Sequence, residues 1–119
     1  MEVGVRLMTR YSVGRRREQE TVHYLRNEGY GTLRAAGSKG VFDVVGYNGT
    51  VVRFIQVKSS KARYGSLKSD LESVNGAAVP EGATKELWVY EPRKLTVYHV
   101  KGPRVEYPIN ANVVFTAES

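Results

Sequence analysis

The apolar positions of the chain change period several times. Between residues 12 and 28, Val13, Val22 and Leu25 form a narrow stripe at helical spacing, with Arg15, Arg16 and Arg17 on the polar side. Ser12 is placed to cap this helix and Gly29 to end it. Tyr30–Arg34 reads as a short strand. Ala35–Gly40 reads as a loop, because Gly37, Ser38 and Gly40 interrupt any period. Val41–Tyr47 and Thr50–Val57 are β-rich runs joined by Asn48-Gly49. That dipeptide suits a two-residue type I′ turn, whose central residues both need positive φ. Residues 58–66 read as a basic, serine-rich loop. Leu67–Ala78 predicts a second helix with Leu71, Val74 and Ala78 on one face. Glu86–Tyr90 and Leu95–Val100 predict another hairpin around Pro92-Arg93, and Arg104–Tyr107 a last short strand. The order α-β-β-β-α-β-β predicts an α/β fold, a central mixed sheet flanked by helices.

The chain has 119 residues, which predicts one domain over 1–119 with one core and one site. There is no cysteine, so disulfides, thiolate metal sites and cysteine nucleophiles are excluded. No apolar run approaches the roughly 20 residues of a membrane span, and the N-terminus lacks the pattern of a secretory signal. A soluble, intracellular protein with no membrane partner is expected. The net charge of +6 predicts an anionic partner. The excess is also patterned. Residues 44–69 carry five basic residues and no acid, whereas residues 70–92 carry five acids and only Lys85. This layout predicts one basic surface, with the acids of 70–92 turned away from it.

The predicted hairpin has a chemical consequence. A two-residue turn at 48–49 sets Tyr47 against Thr50 and Asp43 against Phe54. Side chains alternate faces with period two. Asp43, Phe54, Gln56 and Lys58 then project from one face, and Val44, Arg53, Ile55 and Val57 from the other. A carboxylate, an amide oxygen and an ammonium gathered at a strand end can hold a hard divalent cation and place a lysine beside it. The plain alternative is an ordinary Asp–Lys pair on a solvated face. A third oxygen can come from the N-terminal helix. Glu18 shares the face of Val22 and Leu25, while Glu20 lies about 200° around from it, with the arginines. Glu18 is the better candidate, unless it only pairs with Arg15 or Arg17 on the surface.

In this order, Glu18, then Phe42-Asp43, then Gln56-Val57-Lys58, the chain resembles the PD-(D/E)xK nuclease superfamily. More narrowly it resembles the archaeal Holliday junction resolvases, over about Gly14 to Lys61. The matching stretches are Arg15-Arg16-Arg17-Glu18, Leu25-Arg26-Asn27-Glu28-Gly29-Tyr30, Arg34-Ala35-Ala36-Gly37-Ser38-Lys39 and Gln56-Val57-Lys58-Ser59-Ser60-Lys61. The resemblance implies a single restriction-endonuclease-like domain and a metal-dependent endonuclease. It implies binding to four-way DNA junctions as a homodimer, with paired symmetric nicks and no small-molecule cofactor. By resemblance Glu18, Asp43 and Gln56 are metal ligands for Mg²⁺ (with Mn²⁺ as a substitute). Lys58 positions the attacking water, and Ser38 matches a loop serine near the active site. Two positions depart from the family pattern. Phe42 stands where proline is frequent, and Gln56 where glutamate is usual, so the site has two protein carboxylates rather than three.

Arg10, Arg15, Arg16, Arg17, Arg34, Lys39, Lys61 and Arg63 are the candidate phosphate contacts, which position DNA without reading sequence. Two other readings stay open. One is a junction-binding module whose site has lost its metal. The other is a flap or nicking repair endonuclease on the same fold.

Overall fold

The computed structural model describes residues 10–35, 40–60 and 66–116, with the side chains of residues 10–12 excepted. Its elements are α1 (Arg10–Asn27), β1 (Gly31–Arg34), β2 (Val44–Tyr47), β3 (Val52–Ser59), α2 (Leu67–Gly76), β4 (Thr84–Glu91), β5 (Lys94–Lys101) and β6 (Asn112–Phe115). The six strands lie in one sheet in chain order, β1 to β6. The pairs β3/β4 and β5/β6 are parallel and the rest antiparallel. A parallel neighbour needs a crossover, and α2 supplies it between β3 and β4. The expected mixed α/β sheet with flanking helices is therefore present.

The helices cover opposite faces. On the α1 side, Val22 and Leu25 pack with Val44, Ile55, Val57, Trp88, Tyr90 and Val97. On the α2 side, Val74 packs with Leu87, Val89 and Val100. Full burial of Leu25 removes its side chain from water, worth roughly 2–3 kcal/mol. This contact is close because residue 46 is glycine. A Cβ there would lie 3.1 Å from Leu25 Cδ1, so a larger residue would push α1, and every side chain it carries, off the sheet. The helix ends as predicted at Gly29, which takes φ +93 while Tyr30 N–H donates back to Leu25 O at 3.0 Å. α2 starts on Ser66, whose Oγ accepts from Ser69 N–H. Its C-terminal carbonyls on Asn75 and Ala77 accept from the buried Lys85 ammonium, a cation where the helix dipole is negative.

Four expectations are corrected. α1 begins at Arg10, so Ser12 lies inside it rather than at its cap. The β2–β3 turn is not the two-residue type I′ form. The observed pairs are Tyr47↔Val52 and Val44↔Ile55, which leave four residues in the loop. Asn48 Oδ1 accepts from Thr50 N–H and Val51 N–H, both at 2.8 Å. The amide side chain thus closes the turn, and neither Asn48 nor Gly49 takes positive φ. The slip is two residues, so every side chain keeps its predicted face. Val44, Arg53, Ile55 and Val57 are indeed buried on the α1 side. α2 stops at Gly76, and Ala78 lies beyond it, exposed. The last strand is Asn112–Phe115, not Arg104–Tyr107. Tyr107 instead turns its ring edge onto Trp88 and its hydroxyl onto His99 Nδ1.

Candidate active site

The ladder between β2 and β3 ends at Val44↔Ile55. One residue earlier the chain bends away, with Asp43 N–H donating to Ile55 O at 2.9 Å. The next donor on β3, Val57 N–H, would be left without a backbone acceptor. The Asp43 side chain supplies one, and its Oδ2 accepts at 2.8 Å. Strand divergence therefore fixes this carboxylate at the sheet's opening, on the face shared with Gln56 and Lys58. The two-residue register slip brings Asp43 level with Gln56 rather than Phe54.

Gln56 is buried, at 9% exposure. Its Nε2 donates to Val41 O at 2.9 Å, which settles which end of the amide is oxygen. Its Oε1 is buried with no hydrogen-bond partner. A buried acceptor left unpaired costs about 1–3 kcal/mol, and such an atom calls for an explanation.

Asp43 carries the second unrelieved group. Burial pushes its carboxyl from 3.8 up to about 6, against the Val57 N–H, which favours the charged form. The Glu18 charge raises it further, and Lys58 and Arg34 draw it down. Glu18 thus reaches the same electrostatic neighbourhood from α1. The ion pair it makes is not the surface pair with Arg15 or Arg17 that the sequence left open. Its partner is Arg34 of β1, with Nη2 donating to Oε1 at 2.9 Å. Glu20 points away from the site to Arg17 at 3.0 Å and to the exposed Arg16 at 3.9 Å.

The structure therefore brings together Glu18, Asp43, Gln56 and Lys58, with Arg34 beside them. Two carboxylates and a spare amide oxygen are a hard-oxygen donor set. Among the described residues no three His, Cys, Asp or Glu side chains gather at one place, as expected where the third oxygen is an amide. The donors fit a divalent cation. It would satisfy Gln56 Oε1 and lower the cost of ionising Asp43 beside Glu18.

A family model described as archaeal Holliday junction resolvase (Hjc) matches residues 9–79. The chain belongs to the archaeal Holliday junction resolvase family. It is similar to the crossover junction endodeoxyribonuclease Hjc of Methanocaldococcus jannaschii, 37% identical over 65 residues. That alignment covers 55% of this chain, and the chain spans about half the length of that curated relative (49%). Its fold is similar to the solved structure of Archaeoglobus fulgidus Hjc, a Holliday junction resolvase from an archaeal hyperthermophile. There the TM-score is 0.56 at 26% identity, over 72% of this chain and 71% of the other. The family match spans all four clustered residues.

The other predicted residues of this resolvase-family chain divide into three groups. Ser38, Lys39, Lys61 and Arg63 lie outside the described residues, as does the side chain of Arg10. Arg15 and Arg16 are exposed on α1. Arg17 is turned inward. Its guanidinium lies 5.1 Å over the Tyr90 ring, and Tyr90 is tied to α1 again by a 2.8 Å hydrogen bond between its hydroxyl and Thr21 Oγ1. Of the acids in 70–92, Asp70 and Glu86 are buried, and Glu72 pairs with Lys68 on the surface.

One buried ion pair escaped the sequence pattern. Arg53 and Glu86 are fully buried and paired, with Nε–Oε2 at 2.8 Å and Nη2–Oε1 at 3.0 Å. Thr84 Oγ1 and Trp88 Nε1 also donate to Glu86. Tyr30 and Tyr107 each hold a ring 5.1 Å from the guanidinium. Burial opposes the Arg53 charge, but the Glu86 hydrogen bonds outweigh it and hold the pKa above its ordinary value. The signal available beforehand was a glutamate immediately before the apolar run Leu87-Trp88-Val89-Tyr90, inside the predicted strand.

Proposed function

We propose that this chain is a metal-dependent, structure-specific endonuclease that resolves four-way DNA junctions by paired symmetric nicks, acting as a homodimer. The observation that carries the reading is the unpartnered buried oxygen of Gln56, level with Asp43 and two residues before Lys58 on the same strand face. Family membership and the basic charge support it. The single-domain organisation over 1–119 belongs to the same reading.

Glu18, Asp43 and Gln56 would hold the cation, Mg²⁺ with Mn²⁺ as a substitute. A divalent ion supplies Lewis-acid polarisation of a phosphate oxygen and an acidified water. The chain's own groups do the rest. Lys58 directs its ammonium into the site and orients the attacking water or offsets charge on the pentacovalent transition state. Arg34 holds Glu18 in place through its guanidinium. Ser38 is included on the family resemblance alone. Arg10, Arg15, Arg16, Arg34, Lys39, Lys61 and Arg63 would face backbone phosphates, so affinity should fall steeply with salt; Arg17, turned onto Tyr90, is left out of this set. The protein would act inside the cell, where its DNA is.

The test is cleavage of a synthetic four-way junction, a flap and a linear duplex under Mg²⁺ and then Mn²⁺. Cuts confined to the junction support the reading. Tight junction binding with no cut under either metal contradicts it and marks a binding module. Cutting of flaps in preference to junctions marks a repair nuclease.

A further inference from the structure

The β4–β5 turn is built at a conformational cost. Glu91 pairs with Lys94, leaving a two-residue connection, Pro92-Arg93. Arg93 has φ 63, and no other non-glycine residue among those described takes a positive φ. This is the second central position of a turn with proline at the first, where glycine is the favoured residue. An arginine there bears left-handed strain that glycine would avoid. Strain of this kind motivates a search for a use.

The surroundings suggest one. Arg93 and Lys94 are both exposed, and neither has an ion-pair partner among the described residues. They border a shallow cavity of about 340 Å³ that also exposes Arg17, Tyr24, Tyr90 and Pro108. Glu20 and Glu91 line it too, but Glu20 is already engaged by Arg16 and Arg17. Arg17 Nε is buried there without a partner. The parallel register sets Lys58 against Val89 and Ser59 against Tyr90. The turn therefore projects from the same end of the sheet as the Asp43–Lys58 site. Arg93 is one strand across and four residues beyond Val89, roughly 14 Å from Lys58 at ordinary strand spacings. That is a span of a few nucleotides along a DNA strand. Arg17 and Glu18 are consecutive on α1, the first lining this cavity and the second paired with Arg34 beside the site.

We propose that Arg93 and Lys94 form a second phosphate-binding ridge, which grips the backbone of the DNA strand a few nucleotides from the scissile position. It rests on the endonuclease reading above for its substrate, but its own ligand is the phosphodiester backbone.

The test is the salt dependence of binding to a labelled four-way junction and to a linear duplex of arm sequence, for wild type, Arg93→Gly, Lys94→Gln and Lys101→Gln. Lys101 is the control, because it lies at the other end of the sheet, opposite Lys85. Each lost phosphate contact should flatten the plot of log K against log salt by about 0.9, which is roughly an eightfold loss at 0.1 M salt. Arg93→Gly and Lys94→Gln should each show this loss on both substrates, and Lys101→Gln should show much less. Arg93→Gly should also melt at or above the wild-type temperature, which separates lost contact from lost fold. Equal losses in all three variants mean a net-charge effect and overturn the ridge. Unchanged slopes for Arg93→Gly and Lys94→Gln overturn it too, while wild-type cleavage of the junction would leave the endonuclease reading intact. A wild type that binds neither DNA sinks both.

Discussion

Replacing Asp43 by asparagine should make the cation-free protein more stable. The carboxyl sits at about 6 instead of 3.8, with burial the main cause. The sign follows from proton binding. Between these values the folded state holds a proton that the unfolded state has released. Stability therefore falls as pH rises from about 4 to about 6, and the loss is complete above that window. The difference of about 2.2 units corresponds to an upper limit of about 3 kcal/mol at 1.36 kcal/mol per unit. The attraction of Lys58 and Arg34 is already inside that net shift. The asparagine amide would keep an oxygen for Val57 N–H and carry no charge beside Glu18. A gain of about 1–3 kcal/mol at pH 8 follows, or roughly 4 °C in Tm for each kcal/mol. The assay is a set of thermal melts in a chelator at pH 4, 6 and 8. The wild type should lose stability across the window and the variant should not, with the two nearly equal at pH 4. An equal gain at every pH would refute the reasoning, since it would then have nothing to do with ionisation. A less stable variant at pH 8 would refute it outright.

Other outcomes follow from the same geometry. Adding millimolar Mg²⁺ should raise the wild-type Tm at pH 8 and leave Asp43→Asn nearly unmoved, as read by the same melts; equal shifts would place the cation elsewhere. Gln56→Glu adds a third carboxylate at a buried position, so it should bind divalent cation at least tenfold more tightly by titration calorimetry, while melting lower than wild type in chelator at pH 8. Glu86→Ala leaves the Arg53 charge buried and unpaired, and should cost about 3–5 kcal/mol in urea unfolding, whereas Arg53→Met with Glu86→Leu should recover most of it.

Much of this was legible from periodicity. Strand alternation puts Asp43, Gln56 and Lys58 on one face for a two-residue or a four-residue loop alike, because a two-residue slip preserves parity. That is why a wrong turn type still placed these three side chains together. Glu18 was legible from helical spacing, since it shares the stripe of Val22 and Leu25. The turn itself was not, because Asn48 had two ways to serve it: positive φ in its backbone, or an oxygen in its side chain. The second needs no strain and won. Nor was the Glu18–Arg34 pair legible, because it joins α1 to an edge strand 16 residues away. The buried Arg53–Glu86 pair is still longer in range. Pairings of that kind follow from the register of β3 against β4, which no local pattern encodes. Arg104–Tyr107 reads as a last strand, yet the Tyr107 ring and hydroxyl are both claimed by the core.

The most direct test maps the cut positions on a four-way junction labelled on each strand in turn, under Mg²⁺, with wild type and Lys58→Ala side by side. The account predicts paired nicks at symmetric positions in two opposed strands, ending in 5′-phosphate. Lys58→Ala should give no nicks while still binding the junction. Nicks that survive Lys58→Ala, or fall in a single strand only, would contradict it.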